Sequence, residues 1–238
     1  MEKTVMVRTI SNKGDRGRRY LFIDALRGFA VLLMIIYHMI FDLNGFHLIR
    51  FELIKNPLWY AFPRFIVSLF LICVGIGLAL AHKQGIQWPR FRRRLYVIGI
   101  WALVISLVTY VLFPRNFVFF GILHCIFLTS LVGVFFVPRP KLSLALCLML
   151  VIPSVIFRPS LIPIADWLGV KPFDYIPFYP WFGMVLLGIF LESMGFHRIP
   201  LRNTRLTRAL ESMGQHSLKI YLIHRPILFG GAFLLYKL

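Results

Sequence analysis

The sequence predicts an all-α protein, a bundle of about seven membrane-spanning helices with its N-terminus in the cytosol. The chain has 238 residues, 59% of them hydrophobic, and a mean hydropathy of +0.78, whereas soluble domains are usually about 45–50% apolar. The apolar residues form blocks of about 16–25, and about 20 helical residues cross the hydrocarbon layer of a bilayer. Both observations favour one membrane domain over residues 20–238, preceded by a basic cytosolic tail over residues 1–19.

Each apolar block ends at a polar or proline-rich break, and these breaks define the predicted spans. The first block is longer than the apolar region of a secretory signal peptide and lacks a small-residue cleavage site, so we expect it to remain as a helix. The predicted spans lie near residues 20–43, 58–81, 95–113, 119–137, 142–158, 181–195 and 216–236.

The net charge of +18 is explained by membrane topology. Most of the 27 lysines and arginines lie in segments 1–19, 82–94, 138–141 and 196–215, between apolar blocks. Basic segments stay in the cytosol by the positive-inside rule, so seven spans place the C-terminus outside. We therefore predict a lipid bilayer as partner and no nucleic acid.

Cysteine and histidine spacing indicates neither disulfides nor a metal site. Cys73, Cys125 and Cys147 all lie inside apolar blocks, where cysteine behaves as a small buried hydrophobe. No HxxxH or HExxH pattern occurs, so no metal is predicted.

The first span carries four ionisable residues on one face. On a helix turning about 100° per residue, Asp24, Arg27, His38 and Asp42 fall within about 60° of one another. A charged side chain facing lipid costs about 3 kcal/mol at mid-bilayer, so this face should turn toward protein or a water-filled cavity. We interpret it as the candidate working site.

Two interpretations of this face remain open. In the structural one, Asp24 and Arg27 form an i, i+3 ion pair near the cytosolic edge, and His38 and Asp42 lie at the outer interface. In the functional one, Asp42 holds His38 through an i, i+4 contact and makes it a general base, while Arg27 holds an anionic group lower in the helix.

Two more histidines lie within apolar blocks. His124 is near the outer edge of the fourth span, and His224 is in the middle of the seventh, next to Arg225. A histidine inside a membrane span usually faces inward and is hydrogen-bonded. These residues therefore favour a shared polar cavity, although a structural role for each is also open. His47 lies in the first outer loop.

Several segments together resemble the membrane acyltransferases related to heparan-alpha-glucosaminide N-acetyltransferase, which include a short bacterial branch. The resemblance covers residues 19–236. It rests on IDALRGFAVLLMIIYH at 23–38, ICVGIGLAL at 72–80 with the FRRR run after it, GILH at 121–124, PWFGMVLLG at 180–188 and SLKIYLIHRPIL at 217–228. The arginine and histidine separated by ten residues, Arg27 and His38, are also similar to the signature of acyltransferase-3 membrane enzymes.

The resemblance implies an acyl-CoA-dependent transmembrane acetyltransferase of the bacterial inner membrane. It would move an acetyl group from cytosolic acetyl-CoA, as co-substrate, to an amine or hydroxyl of an extracytoplasmic sugar or glycan, and a homodimer fits it. The catalytic candidates are His38, Asp42 and His124. Arg27, Arg92, Arg93 and His224 are candidates for the donor site, and His47, Asp174 and Trp181 for the acceptor site.

The resemblance leaves the catalytic histidine open. In the lysosomal heparan enzyme the residue aligned with His38 is not histidine, and the catalytic histidine comes from the stretch after this span. His47 is the only histidine in that stretch here, so His47 and His124 remain alternatives. Direct transfer and an acyl-histidine intermediate are both compatible with the sequence. An ion- or proton-coupled transporter, or a non-catalytic scaffold, would use the same polar face.

Overall fold

The computed structural model describes residues 21–50, 57–157, 172 and 174–238. The predicted basic tail, 1–19, lies outside these residues, as does most of the outer segment before Trp181. The described part is all-helical. Its helices are α1 (Leu21–Gly45), α2 (Pro57–His82), α3 (Trp88–Leu112), α4 (Ile122–Gly133), α5 (Pro140–Phe157), α6 (Phe178–Ser193), α7 (Arg205–Gln215) and α8 (Ser217–Lys237), with short 3-10 helices at Val134–Phe136 and Phe196–Arg198.

Five of the described helices are long and apolar enough to cross a membrane: α1, α2, α3, α5 and α8. The segment formed by α4 and its 3-10 turn, Ile122–Phe136, is apolar but shorter, and so is α6. Large hydrophobic side chains cover the outer faces of α3 and α5; Leu103, for example, is 68% exposed and Val155 65%. Such faces suit lipid, and the chain is a membrane protein.

Two segments that the sequence placed between predicted spans contain helical residues. The third helix begins at Trp88 rather than near residue 95 because Pro89 lies in its first turn, where its fixed φ and missing N–H favour a helix start. Arg92 and Arg93 therefore lie on the helix and not in a loop. The predicted inner segment 196–215 contains α7, which begins at a capping box between Thr204 and Thr207.

At two glycines, the backbones of neighbouring helices come into direct contact. A Cβ on Gly28 of α1 would overlap the carbonyl oxygen of Leu210 in α7, and one on Gly188 of α6 would overlap that of Ile72 in α2. Small residues allow this approach between membrane helices. These contacts fix the register of α1 on α7 and of α2 on α6.

The main hydrophobic core lies between α2, α4, α5 and α6. Leu71, Leu78, Val185 and Leu186 are fully buried there. The three cysteines are free and buried, as predicted. The partly polar interface of α1 with α8 is separate from this core, and it contains most of the candidate site.

Candidate active site

His38 lies in the second half of α1 with one ring nitrogen tied to its own helix. Its Nδ1 is 2.9 Å from the carbonyl oxygen of Met34, one turn earlier. A carbonyl oxygen has no proton to give, so Nδ1 must carry the hydrogen and donate it. The neutral ring therefore keeps its basic lone pair on Nε2, the nitrogen at the far end from the backbone.

His224 of α8 is held in the same way and lies beside His38. Its Nδ1 is 2.6 Å from the carbonyl oxygen of Tyr221, and the two imidazole rings have centroids 5.0 Å apart at an interplanar angle of 70°. His224 is 5% exposed. Its Nε2 is buried and has no hydrogen-bond partner among the residues that the structure describes.

The predicted contact of His38 with Asp42 was wrong. Asp42, which is 4% exposed, instead accepts hydrogen bonds from Nη1 of Arg225 at 2.8 Å to Oδ1 and 2.9 Å to Oδ2. A guanidinium brings a permanent charge and several N–H donors, whereas a neutral imidazole brings one donor. The ion pair therefore joins α1 to α8, one residue beyond His224.

An aromatic stack lies against His38. The ring of Tyr37 packs edge-on against His38 with centroids 5.2 Å apart, and it stacks on Trp59 of α2 at 4.7 Å and 25°. Sequence reasoning missed this stack, because an aromatic residue next to a histidine in an apolar block is read as part of the core.

His124 lies near the start of α4 and faces α3. Its Nε2 is 3.3 Å from the hydroxyl oxygen of Ser106, whose own proton goes to the carbonyl oxygen of Val118 at 2.6 Å. Nε2 is therefore the donor in this pair. The sequence analysis did not single out Ser106.

Asp174 joins the site from the segment before α6. Its Oδ2 accepts a hydrogen bond of 3.2 Å from the backbone N–H of Ile122, at the start of α4. Burial raises the pKa of the Asp174 carboxyl to about 6, and the Ile122 N–H and the charge of Arg225 both oppose this rise. Arg225 thus lies within electrostatic reach of two carboxylates, those of Asp42 and Asp174.

A second, basic cluster lies near the start of α1. Nη1 of Arg27 is 3.4 Å from Oδ1 of Asp24, so the predicted i, i+3 pair is confirmed. The Arg27 side chain reaches α2 beside Gly77. Half-buried Arg94 of α3 lies within electrostatic reach of Arg27, and it forms no ion pair with a described residue. Two guanidinium groups and one carboxylate leave this cluster positive.

The other predicted site residues are described by their exposure and packing alone. Arg92 and Arg93 are exposed on α3. His47 is exposed in the turn after α1, with a φ of 59°. Trp181 is half-buried and packs against the main hydrophobic core. No contact among the described residues tests the roles predicted for these side chains.

The described residues contain no group of three or more His, Cys, Asp or Glu side chains that could hold a metal ion. The two clusters present imidazole, carboxylate and guanidinium groups instead. This chemistry suits proton transfer and the binding of an anionic substrate.

Comparison with known protein families decides the identity of the chain. The sequence model of the family described as heparan-alpha-glucosaminide N-acetyltransferase, catalytic, matches residues 19–226. The chain belongs to this family. The matched range includes both clusters and ends after the His224–Arg225 pair. A search of curated proteins and of solved structures finds no match. Membership of the heparan-alpha-glucosaminide N-acetyltransferase family indicates a membrane acetyltransferase.

Proposed function

We propose that the protein transfers an acetyl group from cytosolic acetyl-CoA to an amine or hydroxyl of a sugar or glycan on the other side of the membrane. The observation that carries this proposal is the position of His38 within the family domain. Its Nδ1 is held by the Met34 carbonyl, so its Nε2 is available as a general base. An amine or alcohol must lose a proton as it attacks a thioester, so a base is required.

The cluster of Arg27, Arg94 and Asp24 supports binding of the donor. Acetyl-CoA carries several negative phosphates, and guanidinium groups bind phosphate well. A net positive group of charges next to α2 and α3 attracts such a ligand. Among the arginines of the FRRR run, Arg94 is half-buried near Arg27, whereas Arg92 and Arg93 are exposed. We therefore propose Arg27 and Arg94 as the main donor-binding residues.

The aromatic stack and Asp174 support binding of the acceptor. Aromatic faces such as those of Tyr37 and Trp59 suit the apolar faces of sugar rings, and a carboxylate accepts hydrogen bonds from sugar hydroxyl or amino groups. Asp174 lies within electrostatic reach of Arg225, which is adjacent in sequence to His224. The acceptor would thus enter from the side opposite the Arg27–Arg94 cluster.

Helix directions support seven spans with the N-terminus inside. Helices α2 and α6 run the same way, since Gly75 lies against Gly188 and Lys83 binds Glu192 at 3.0 Å. An odd number of crossings must then lie between them, which α3, α4 and α5 supply. The basic segments favour a cytosolic start of α1 by the positive-inside rule. The membrane in this proposal is the inner membrane of a bacterium.

Purified protein with labelled acetyl-CoA and a panel of amino sugars and neutral sugars tests this function. His38→Asn keeps a donor for the Met34 carbonyl but removes Nε2, and we expect a loss of transfer of about 100-fold or more. The matched control is His216→Asn, because exposed His216 also has its Nδ1 2.9 Å from a carbonyl one turn earlier.

Three outcomes would count against the proposal. If the protein does not bind acetyl-CoA, an ion- or proton-coupled transporter or a scaffold explains the polar face better. If His38→Asn keeps full turnover while His47→Asn or His124→Asn abolishes it, the base is assigned to the wrong residue. In inside-out vesicles, acetyl-CoA added outside should acetylate an acceptor enclosed in the lumen; transfer only to acceptor on the same side would refute the direction.

A further inference from the structure

His224 lies beside the proposed base, His38, and both imidazole rings are held by the same kind of hydrogen bond. Both rings donate Nδ1–H to a carbonyl of their own helix, at 2.9 Å for His38 and 2.6 Å for His224. Both neutral rings therefore carry their lone pair on Nε2. With centroids 5.0 Å apart and an interplanar angle of 70°, the two rings pack edge to face.

The Nε2 of His224 is a buried acceptor without a partner in the described part of the chain. A buried polar atom left without a hydrogen bond costs about 1–3 kcal/mol, so such an atom calls for an explanation, and a catalytic role is one. Arg225, the next residue in the chain, binds Asp42 instead. No group in the described part of the chain uses the lone pair of this nitrogen.

We propose that His224 is a second proton acceptor in acetyl transfer, acting beside His38. This inference rests on the proposed acetyltransferase function and changes the role of His224, which the sequence had placed in the donor site. It also requires the acceptor's reacting group to reach the Nε2 atoms of both rings.

An ammonium acceptor loses two protons when it becomes an amide, and two imidazoles can take one proton each. One imidazole takes the first proton from R–NH3⁺ and leaves R–NH2. The amine nitrogen then forms the C–N bond with the thioester carbon, the C–S bond breaks, and the second imidazole takes the proton lost from nitrogen. The leaving thiolate takes one of these protons to become the CoA thiol, and the other proton is released to solvent. A hydroxyl acceptor, or water, loses only one proton.

The test compares wild type, His224→Asn and the control His216→Asn with glucosamine as acceptor, from about pH 6 to about pH 9. Asparagine at position 224 keeps an N–H for the Tyr221 carbonyl and removes Nε2. At about pH 6, where the amine is charged, we expect a loss of about 100-fold in kcat/KM, the size typical of a general base. At about pH 9 the amine is largely neutral without help, and the loss should shrink to about tenfold or less.

Thioester hydrolysis serves as an internal reference, because water loses one proton. His224→Asn should affect hydrolysis much less than amine transfer at about pH 6. An equal loss at every pH and for both reactions would show that His224 is only structural. If His224→Asn does not fold, His224→Gln provides the same comparison, because its amide reaches the Nε2 position but cannot accept a proton at these pH values.

The outcomes separate this inference from the proposed function. If wild-type protein transfers acetyl and both His224 variants match it at every pH, the role of His224 is refuted and the acetyltransferase stands. If wild-type protein neither binds nor consumes acetyl-CoA, the proposed function is refuted and the inference with it.

Discussion

The ion pair between Asp42 and Arg225 predicts an unequal response to removal of its two charges. The Asp42 side chain is 4% exposed and that of Arg225 is 37% exposed. Arg225→Gln leaves a buried carboxylate without its cation, and breaking a buried pair in this way costs about 3–5 kcal/mol. Asp42→Asn leaves an arginine that still reaches beyond the protein interior, so its cost should be about 1 kcal/mol, near that of one hydrogen bond.

The double variant is the decisive member of this cycle. In Asp42→Asn with Arg225→Gln, the two amides can bond to each other, and no charge remains buried. We expect the double variant to be more stable than Arg225→Gln alone. The coupling free energy between the two sites should then be about 2 kcal/mol or more, because the residues are in direct contact.

The measurement is thermal unfolding of the purified protein in one detergent at about pH 7, followed by tryptophan fluorescence. Arg205→Gln is the control, because Arg205 is exposed on α7 and forms no ion pair with a described residue. Equal losses for Asp42→Asn and Arg225→Gln, or a greater loss for Asp42→Asn, would refute the argument from burial. A double variant no more stable than Arg225→Gln would refute the proposed coupling.

Three further predictions concern packing, pH and donor binding. Gly188→Ala should lower the free energy of unfolding by about 1–3 kcal/mol, since its Cβ would overlap the Ile72 carbonyl; Gly230→Ala, with nothing within 4 Å of its Cβ, should have little effect in the same melt. Burial raises the pKa of the Asp174 carboxyl to about 6 in the folded protein. The protonated carboxyl therefore stabilises the fold fully below about pH 4, and this stabilisation falls by at most about 3 kcal/mol as the pH rises to about 6. Asp174→Asn should remove that fall, and an unchanged pH profile of the melting temperature would contradict the assignment. Arg94→Gln should raise the KM for acetyl-CoA about tenfold, as expected for the loss of a hydrogen bond to a charged group. An equal rise in KM for Arg93→Gln, a change at an exposed position, would show that donor binding does not depend specifically on Arg94.

Local sequence was sufficient for properties that a single helix controls. The length of the apolar blocks predicted helices that the structure confirms, five of them long enough to span by themselves. The 100° periodicity also explains the Asp24–Arg27 pair, since residues three apart lie on one face of a helix. The helix α7 was missed because its arginines were read only as loop charges, although Leu206, Leu210 and Met213 repeat at a helical spacing.

The partners of the site residues were not predictable in the same way. Asp42 had an acceptable partner one turn away in His38, but it binds Arg225, which is 183 residues distant in sequence. Position along a helix does not specify which residue of another helix lies opposite. The facing residue depends on the crossing angle and the register of the two helices. For two helix pairs, the close contacts at Gly28 and Gly188 set this geometry.

Composition, periodicity and motifs were enough to predict the membrane class, the approximate helices, the polar face of α1 and the resemblance to an acetyltransferase family, which the family comparison confirms. These properties follow from composition, periodicity and motifs, which are local. The folded structure was needed to show that His38 lies beside His224, that Asp42 binds Arg225, and that Arg94 lies within electrostatic reach of Arg27. Each of these pairs joins residues of two different helices, and no pattern within either helix contains that information.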